Sequence, residues 1–148
     1  MRGGARGRGE KREGGRGKGE DGAVAAIRSF REVQVYQVAR AAAKRVFEIS
    51  RSFPSEERYS LTSQICRASR SVGANLAEAW RKRRYPASFI SKLSDADAEA
   101  AEVRAWLDAA LDCKYIDRTE FKSLDDSYDH LGAQLRVMMD HPEKWCAK

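Results

Sequence analysis

Apolar residues recur at alternating spacings of four and three along four segments, which places them on one side of helices that turn every 3.6 residues. The first stripe is Val35, Ala39, Ala42, Val46, Ile49 and Phe53. Pro54 ends it, because proline disfavours the helical conformation in the residue before it. Ser55 is the expected N-cap of the next helix, with Glu56 and Glu57 in a first turn where the helix dipole favours acids. The second stripe runs Leu61, Ile65, Ala68, Val72, Leu76 and Ala79, and the small residues Ser69 and Gly73 beside it allow another helix to approach closely. Tyr85-Pro86 separates it from the third, most regular stripe: Phe89, Leu93, Ala96, Ala100, Val103, Leu107 and Ala110. Proline suits a first helical turn. Asp117-Arg118-Thr119-Glu120 has capping-box spacing, with Asp replacing Ser or Thr. It precedes a fourth stripe at Phe121, Leu124, Tyr128, Leu131, Leu135 and Met138.

Short links between such segments imply antiparallel neighbours, so the expected fold is all-α, an up-down-up-down four-helix bundle. The middle helices, residues 56 to 83 and 86 to 113, would each span about 42 Å at 1.5 Å per residue. Tyr36, Phe47, Ile90 and Trp106 lie outside the stripes. They are read either as a second buried surface, as in an oligomer, or as partly buried within one chain.

Composition divides the chain in two. Nine of the eleven glycines fall in residues 1–22, together with seven basic and four acidic side chains. This segment has almost nothing to bury and is expected to be a disordered, basic Gly/Arg-rich tail. Such tails contact RNA, and flexible linkers share the same composition. The remaining domain, residues 23–148, carries 21 basic and 18 acidic residues and only Gly73 and Gly132 as glycines, which disfavours turn-rich β structure. The whole chain has a formal charge of +6. No apolar run is long enough to cross a bilayer, and the first residues do not resemble a signal peptide. Cys66, Cys113 and Cys146 form neither a disulfide framework nor a Cys-x-x-Cys pair, so a reduced, cytoplasmic protein is expected.

Gln64, Arg67, Ser71, Asn75 and Glu78 form a continuous polar line beside the second stripe. Their groups have the chemistry to satisfy one another or to bond to Glu99 or Glu102 on the third helix. The line is either a solvated flank or a register-setting network, and burial decides between them. Arg81, Lys82, Arg83 and Arg84 end the second helix, with Arg70 a few turns earlier and Lys92 on the next helix. Cations there are stabilised by the helix dipole, and the same six residues are the candidate nucleic-acid-binding set.

Catalysis is not expected. A carboxylate-bridged di-metal bundle needs Glu-x-x-His motifs. His130 and His141 instead follow Ser127 and Met138 by three residues. The acidic series Asp95, Glu99 and Glu102 is read as ion pairing with arginine rather than as a metal site. No Gly-rich phosphate loop lies in the body, nothing local orients Cys66 with a histidine, and no cofactor is implied. Neither a helix-turn-helix, a zinc finger nor an aromatic RNA-reading motif occurs, so any nucleic-acid binding would be nonspecific.

Phe53-Pro54, Glu57-Arg58-Tyr59-Ser60-Leu61-Thr62-Ser63-Gln64-Ile65, Arg67-Ala68, Ser71-Val72 and Asn75-Leu76-Ala77-Glu78 resemble the signature of the 23S rRNA-intervening-sequence proteins, or four helix bundle proteins. Val35-Tyr36-Gln37-Val38-Ala39, Leu107, Ala110 and Tyr115 match in order as well, so the resemblance covers about residues 30 to 138. It implies a left-handed bundle that commonly assembles as a homopentamer. The family is encoded in inserts within bacterial large-subunit rRNA genes and elsewhere, and most members have no assigned activity. The related accessory variability determinant of diversity-generating retroelements implies, by analogy, a basic pentamer that binds nucleic acid and a reverse transcriptase. Two positions depart from the pattern: Ala79-Trp80 where the family often has Gly after the Asn-x-Ala-Glu motif, and Ala98-Glu99 where it often has Gly-Ser. Both reshape close helix contacts.

The expected function is therefore a non-catalytic oligomeric scaffold that binds RNA or DNA through backbone electrostatics, since five copies of the chain would carry a charge of about +30. The alternatives are a protein-docking module that recruits a partner such as a reverse transcriptase or other polymerase, and a passenger protein with no ligand.

Overall fold

Each apolar stripe becomes the buried side of one helix. The computed structural model describes residues 26–146, and the tail expected over residues 1–22 lies outside them. Four helices follow in order: α1 (Gln34–Ser50), α2 (Leu61–Arg81), α3 (Pro86–Asp112) and α4 (Arg118–Asp140). Single 3-10 turns occupy Phe30–Glu32, Ser55–Glu57 and Pro142–Lys144, and no strand occurs among the described residues. Each helix packs on the next, and α4 returns to α1, which closes the four-helix bundle.

Cross-helix contacts give the directions. Arg67 meets Glu102 while Glu78, further along α2, meets Lys92, nearer the start of α3, so α2 and α3 are antiparallel. Arg104 reaches Asp125 while Asp97 lies 4.0 Å from Arg136, which gives the same sense to α3 and α4. The core alternates small and large groups: Ala39, Ala42, Ala68, Ala96 and Ala100 let the helices approach, and Ile65, Phe89, Leu93, Leu107 and Leu131 fill the remaining space. Tyr36, Ile90 and Trp106 are half-buried against this core within the one chain, whereas Phe47 remains 44% exposed.

Local signals account for most of the helix ends. Asp117 Oδ1 accepts the Glu120 N–H at 2.8 Å and Glu120 Oε2 accepts the Asp117 N–H at 3.3 Å, which completes the capping box. Pro86 occupies the first turn of α3. The start of α2 differs from expectation. Ser55 does not cap it; Ser55–Glu57 forms a 3-10 turn, and the α-helix begins at Leu61. Glu57 reaches forward instead, accepting the Leu61 N–H at 3.1 Å, so a carboxylate four residues upstream satisfies a free amide of the first turn. With 21 residues α2 is only about 31 Å long, whereas α3, with 27, reaches about 40 Å.

The last turn of α1 also departs from the stripe. Ser50 rather than Ile49 is buried there, its hydroxyl donating to the Phe47 carbonyl at 2.9 Å and lying 3.4 Å from Cys66 Sγ. Cys66 thus faces a serine, not a histidine. Gly73 does not force a close approach, because a Cβ built there would sit 3.5 Å from the Tyr36 ring, an ordinary contact.

Among the described residues three buried side-chain oxygens are left without a hydrogen-bond partner: Glu99 Oε2, Gln134 Oε1 and the Tyr128 hydroxyl. The Tyr128 hydroxyl is enclosed and makes no hydrogen bond, and burial holds its phenol well above the usual tyrosine range. A buried unmade hydrogen bond costs about 1–3 kcal/mol, so Tyr128→Phe is expected to raise the unfolding free energy by about 1 kcal/mol. Chemical denaturation would show this as a higher midpoint; a lower midpoint would mean that the hydroxyl is satisfied.

Candidate nucleic-acid interface

The C-terminal end of α2 turns sharply into α3. The Lys82 N–H bonds back to the Glu78 and Ala79 carbonyls, and the Tyr85 N–H closes the corner on the Lys82 carbonyl at 2.9 Å. This turn holds four consecutive basic residues, and the structure separates them. Arg81, Lys82 and Arg84 are exposed, and none forms a salt bridge among the described residues. Arg83 folds back. Its Nε donates to the Trp80 carbonyl at 2.8 Å and its guanidinium carbon lies 3.3 Å from the Trp80 ring centroid. Partial burial lowers the Arg83 pKa, with nearby Cys146 opposing that shift. Trp80, the bulky residue that follows Ala79, therefore lines the end of the bundle beside Phe30, Val33, Phe89 and Trp145 and holds one arginine of the quartet.

Lys92 is also committed. Its Nζ lies 2.7 Å from Glu78 and 3.7 Å from Asp95. The hydrogen bond with Glu78 raises the lysine pKa and lowers that of the carboxylate, and Lys82 adds a smaller attraction to Glu78. Arg70 precedes Arg81 by eleven residues, about 16 Å along α2, and its guanidinium carbon lies 5.7 Å from the Phe47 ring centroid. The six candidates thus resolve into an exposed corner of three, two residues engaged by neighbours, and one that belongs with α1.

The polar line on α2 is a solvated flank with two bridges to the next helix, Glu78 to Lys92 and Arg67 to Glu99 and Glu102. Arg67, its side chain 48% exposed, bonds Glu102 at 2.6 Å and Glu99 at 3.3 Å. These hydrogen bonds raise the Arg67 pKa, and Arg67 in turn lowers that of Glu102, which also accepts the Trp106 indole N–H at 3.2 Å. Ser71 donates to the Arg67 carbonyl and Asn75 to the Ser71 carbonyl, both within α2, and Gln64 is exposed. Of the acidic series, Glu99 and Glu102 pair with arginine, whereas Asp95 pairs with lysine.

The sequence-based set omitted a wider charge pattern. Residues 26–84, which build α1 and α2, carry thirteen basic and five acidic side chains, a net +8; residues 85–146 carry seven basic and thirteen acidic, a net −6. On α4, Asp125 and Asp129 take up Arg104 of α3 at 2.8 and 2.9 Å. On α1 and at its C-cap, Arg40, Lys44 and Arg51 are exposed and form no salt bridge among the described residues. Their spacing of four and seven residues puts them on one helix side, a periodicity present in the sequence but overshadowed by the stronger apolar stripe. The bundle therefore has a basic side, α1 with α2, and an acidic side, α3 with α4.

Among the described residues no helix is long and apolar enough to cross a membrane. No curated protein matches the chain. A crystal structure of a Bacteroides thetaiotaomicron protein of unknown function, from the S23 ribosomal protein family, is similar to it. The two share 27% sequence identity and a TM-score of 0.65, over 71% of this chain and 97% of that one. The model of the 23S rRNA-intervening sequence protein family matches residues 31–137, which span all of α1, α2 and α3 and most of α4. On that match, the chain belongs to the 23S rRNA-intervening sequence protein family.

Proposed function

We propose that this protein is a non-catalytic, homo-oligomeric scaffold of the cytoplasm that binds RNA or DNA through the phosphate backbone. The observation that carries the reading is the exposed corner Arg81, Lys82 and Arg84 on the side of the bundle whose net charge is +8. Free cations on one face attract a polyanion without reading its bases, and each phosphate they neutralise releases a counterion. A homopentamer, as the family resemblance implies, would repeat that corner around a ring and multiply the field, and the seven basic residues of the N-terminal segment add to it. The test is binding of labelled RNA and of duplex DNA at increasing salt. The logarithm of affinity is expected to fall linearly with the logarithm of salt, by about 0.9 per phosphate contacted on the duplex. Affinity unchanged between low and moderate salt would overturn the reading.

The acidic side, net −6, favours a second reading, in which α3 and α4 dock a basic protein such as a reverse transcriptase or another polymerase. A partner retained after nuclease treatment supports docking, and loss of every partner supports the nucleic-acid reading.

A further inference from the structure

Four large apolar side chains are exposed among the described residues, and three are aromatic: Phe47, Tyr59 and Tyr85. All three adjoin arginine. Phe47 lies between Arg51 and Arg70, Tyr59 beside Arg58, and Tyr85 next to Arg84 in the chain. The fourth, Val137, is on the acidic side. Phe47 and Tyr59 thus lie in the basic half and Tyr85 borders it beside Arg84, a combination of rings and cations that suits unpaired bases on a phosphate backbone, because every base has a face to stack and every linkage has a charge to neutralise.

Phe47 is the best placed of the three. It stands on α1 in the exposed series Arg40, Lys44, Phe47 and the C-cap residue Arg51, spaced four, three and four, so three cations and one ring follow a single side of the helix to its end. Arg70 crosses to it from α2. The guanidinium carbons of Arg51 and Arg70 lie 5.9 and 5.7 Å from its centroid, well outside the 3.3 Å of the Arg83 and Trp80 stack. Arg83 closes its ring off; Arg51 and Arg70 stand over the Phe47 ring in looser cation–π contacts, so that turning toward phosphates would release its face to a base. The series then leads along α1 toward the end of the bundle where the basic corner lies, since Tyr36 near the start of α1 packs beside Ala79 and Trp80.

We infer that the α1 and α2 face is a track for single-stranded nucleic acid, with Phe47 stacking an unpaired base while Arg40, Lys44, Arg51 and Arg70 hold the adjoining phosphates. This rests on the nucleic-acid reading above and narrows it to unpaired strands. The bases of a duplex are already stacked and present no free face to Phe47.

The experiment compares a fluorescent oligodeoxythymidylate of about twelve nucleotides with a duplex of similar length at one salt concentration, using the full chain and its Phe47→Ala and Phe47→Trp variants. Phe47→Ala is expected to weaken the single strand about tenfold and to leave the duplex within about twofold, while Phe47→Trp keeps or strengthens the single strand. Equal loss on both probes, or no loss on either, overturns the track while the electrostatic reading stands. Binding of neither probe by the unaltered protein removes both readings. Light scattering on the same samples decides the remaining possibility: a change of assembly state in Phe47→Ala would make Phe47 a contact between copies and overturn the proposal.

Discussion

Leu107→Ala is expected to lower the unfolding free energy by about 2–5 kcal/mol, since deleting a buried leucine loses its transfer energy and leaves a void that neighbours fill only in part. Leu107 is fully buried on α3. The register given by Arg67 with Glu102 and by Arg104 with Asp125 brings its layer level with the start of α2 and the first turns of α4. Three helices therefore line the void, and collapse would require two antiparallel neighbours to shift along their whole length. A domain of this size has about 5–15 kcal/mol in total, so the loss is a large fraction of it. The check is a denaturant titration at fixed protein concentration, with a lower midpoint and an unchanged slope. Leu107→Met, which conserves volume, should cost less than about 1.5 kcal/mol. A Leu107→Ala cost equal to that of the methionine variant would show that the site is not close-packed.

The bundle was legible in the sequence because burial of a helix face imposes a recoverable period, and because the Asp117 and Glu120 box closes within four residues. Expectation failed where a distant or forward-reaching group took over a local role. Nothing in Ser55 itself says that Glu57 will supply the acceptor for Leu61. Ile49 and Ser50 are equally good by spacing, and the contact of Ser50 with Cys66 across α1 and α2 places the serine inside. The candidate interface was legible only as a run of charge. Four adjacent cations look equivalent in a sequence, yet Arg83 is withdrawn by a ring three residues before it. Lys92 is neutralised by Glu78 on the neighbouring helix, and only the packing of α2 on α3 shows it. The division into a basic and an acidic half is arithmetic on the sequence, but it acquires meaning only when consecutive helices prove to be adjacent walls of one bundle.

That sorting yields a prediction that counting cations does not. Reversing Arg81, Lys82 and Arg84 together to glutamate is expected to lower affinity for RNA or duplex DNA by about a hundredfold to a thousandfold near 0.1 M salt. The salt dependence should become shallower by about one logarithmic unit for each phosphate left without its cation, and the two binding lines should converge near 1 M, where screening removes the difference. The three side chains are exposed and form no salt bridge among the described residues, so the variant should keep its helical signal and its melting transition close to those of the parent protein. Neutralising Arg83 and Lys92 to glutamine also removes cationic charge from this end of the bundle. It should nevertheless change affinity by less than about threefold, because one guanidinium is stacked on Trp80 and one ammonium is held by Glu78 and Asp95. Its effect should fall on stability instead, through removal of the stack and the unpaired Glu78 carboxylate. Equal drops in affinity from the two variants would mean that binding follows total charge rather than this corner, and an unaffected triple reversal would place the nucleic-acid contact elsewhere on the bundle or in the N-terminal segment.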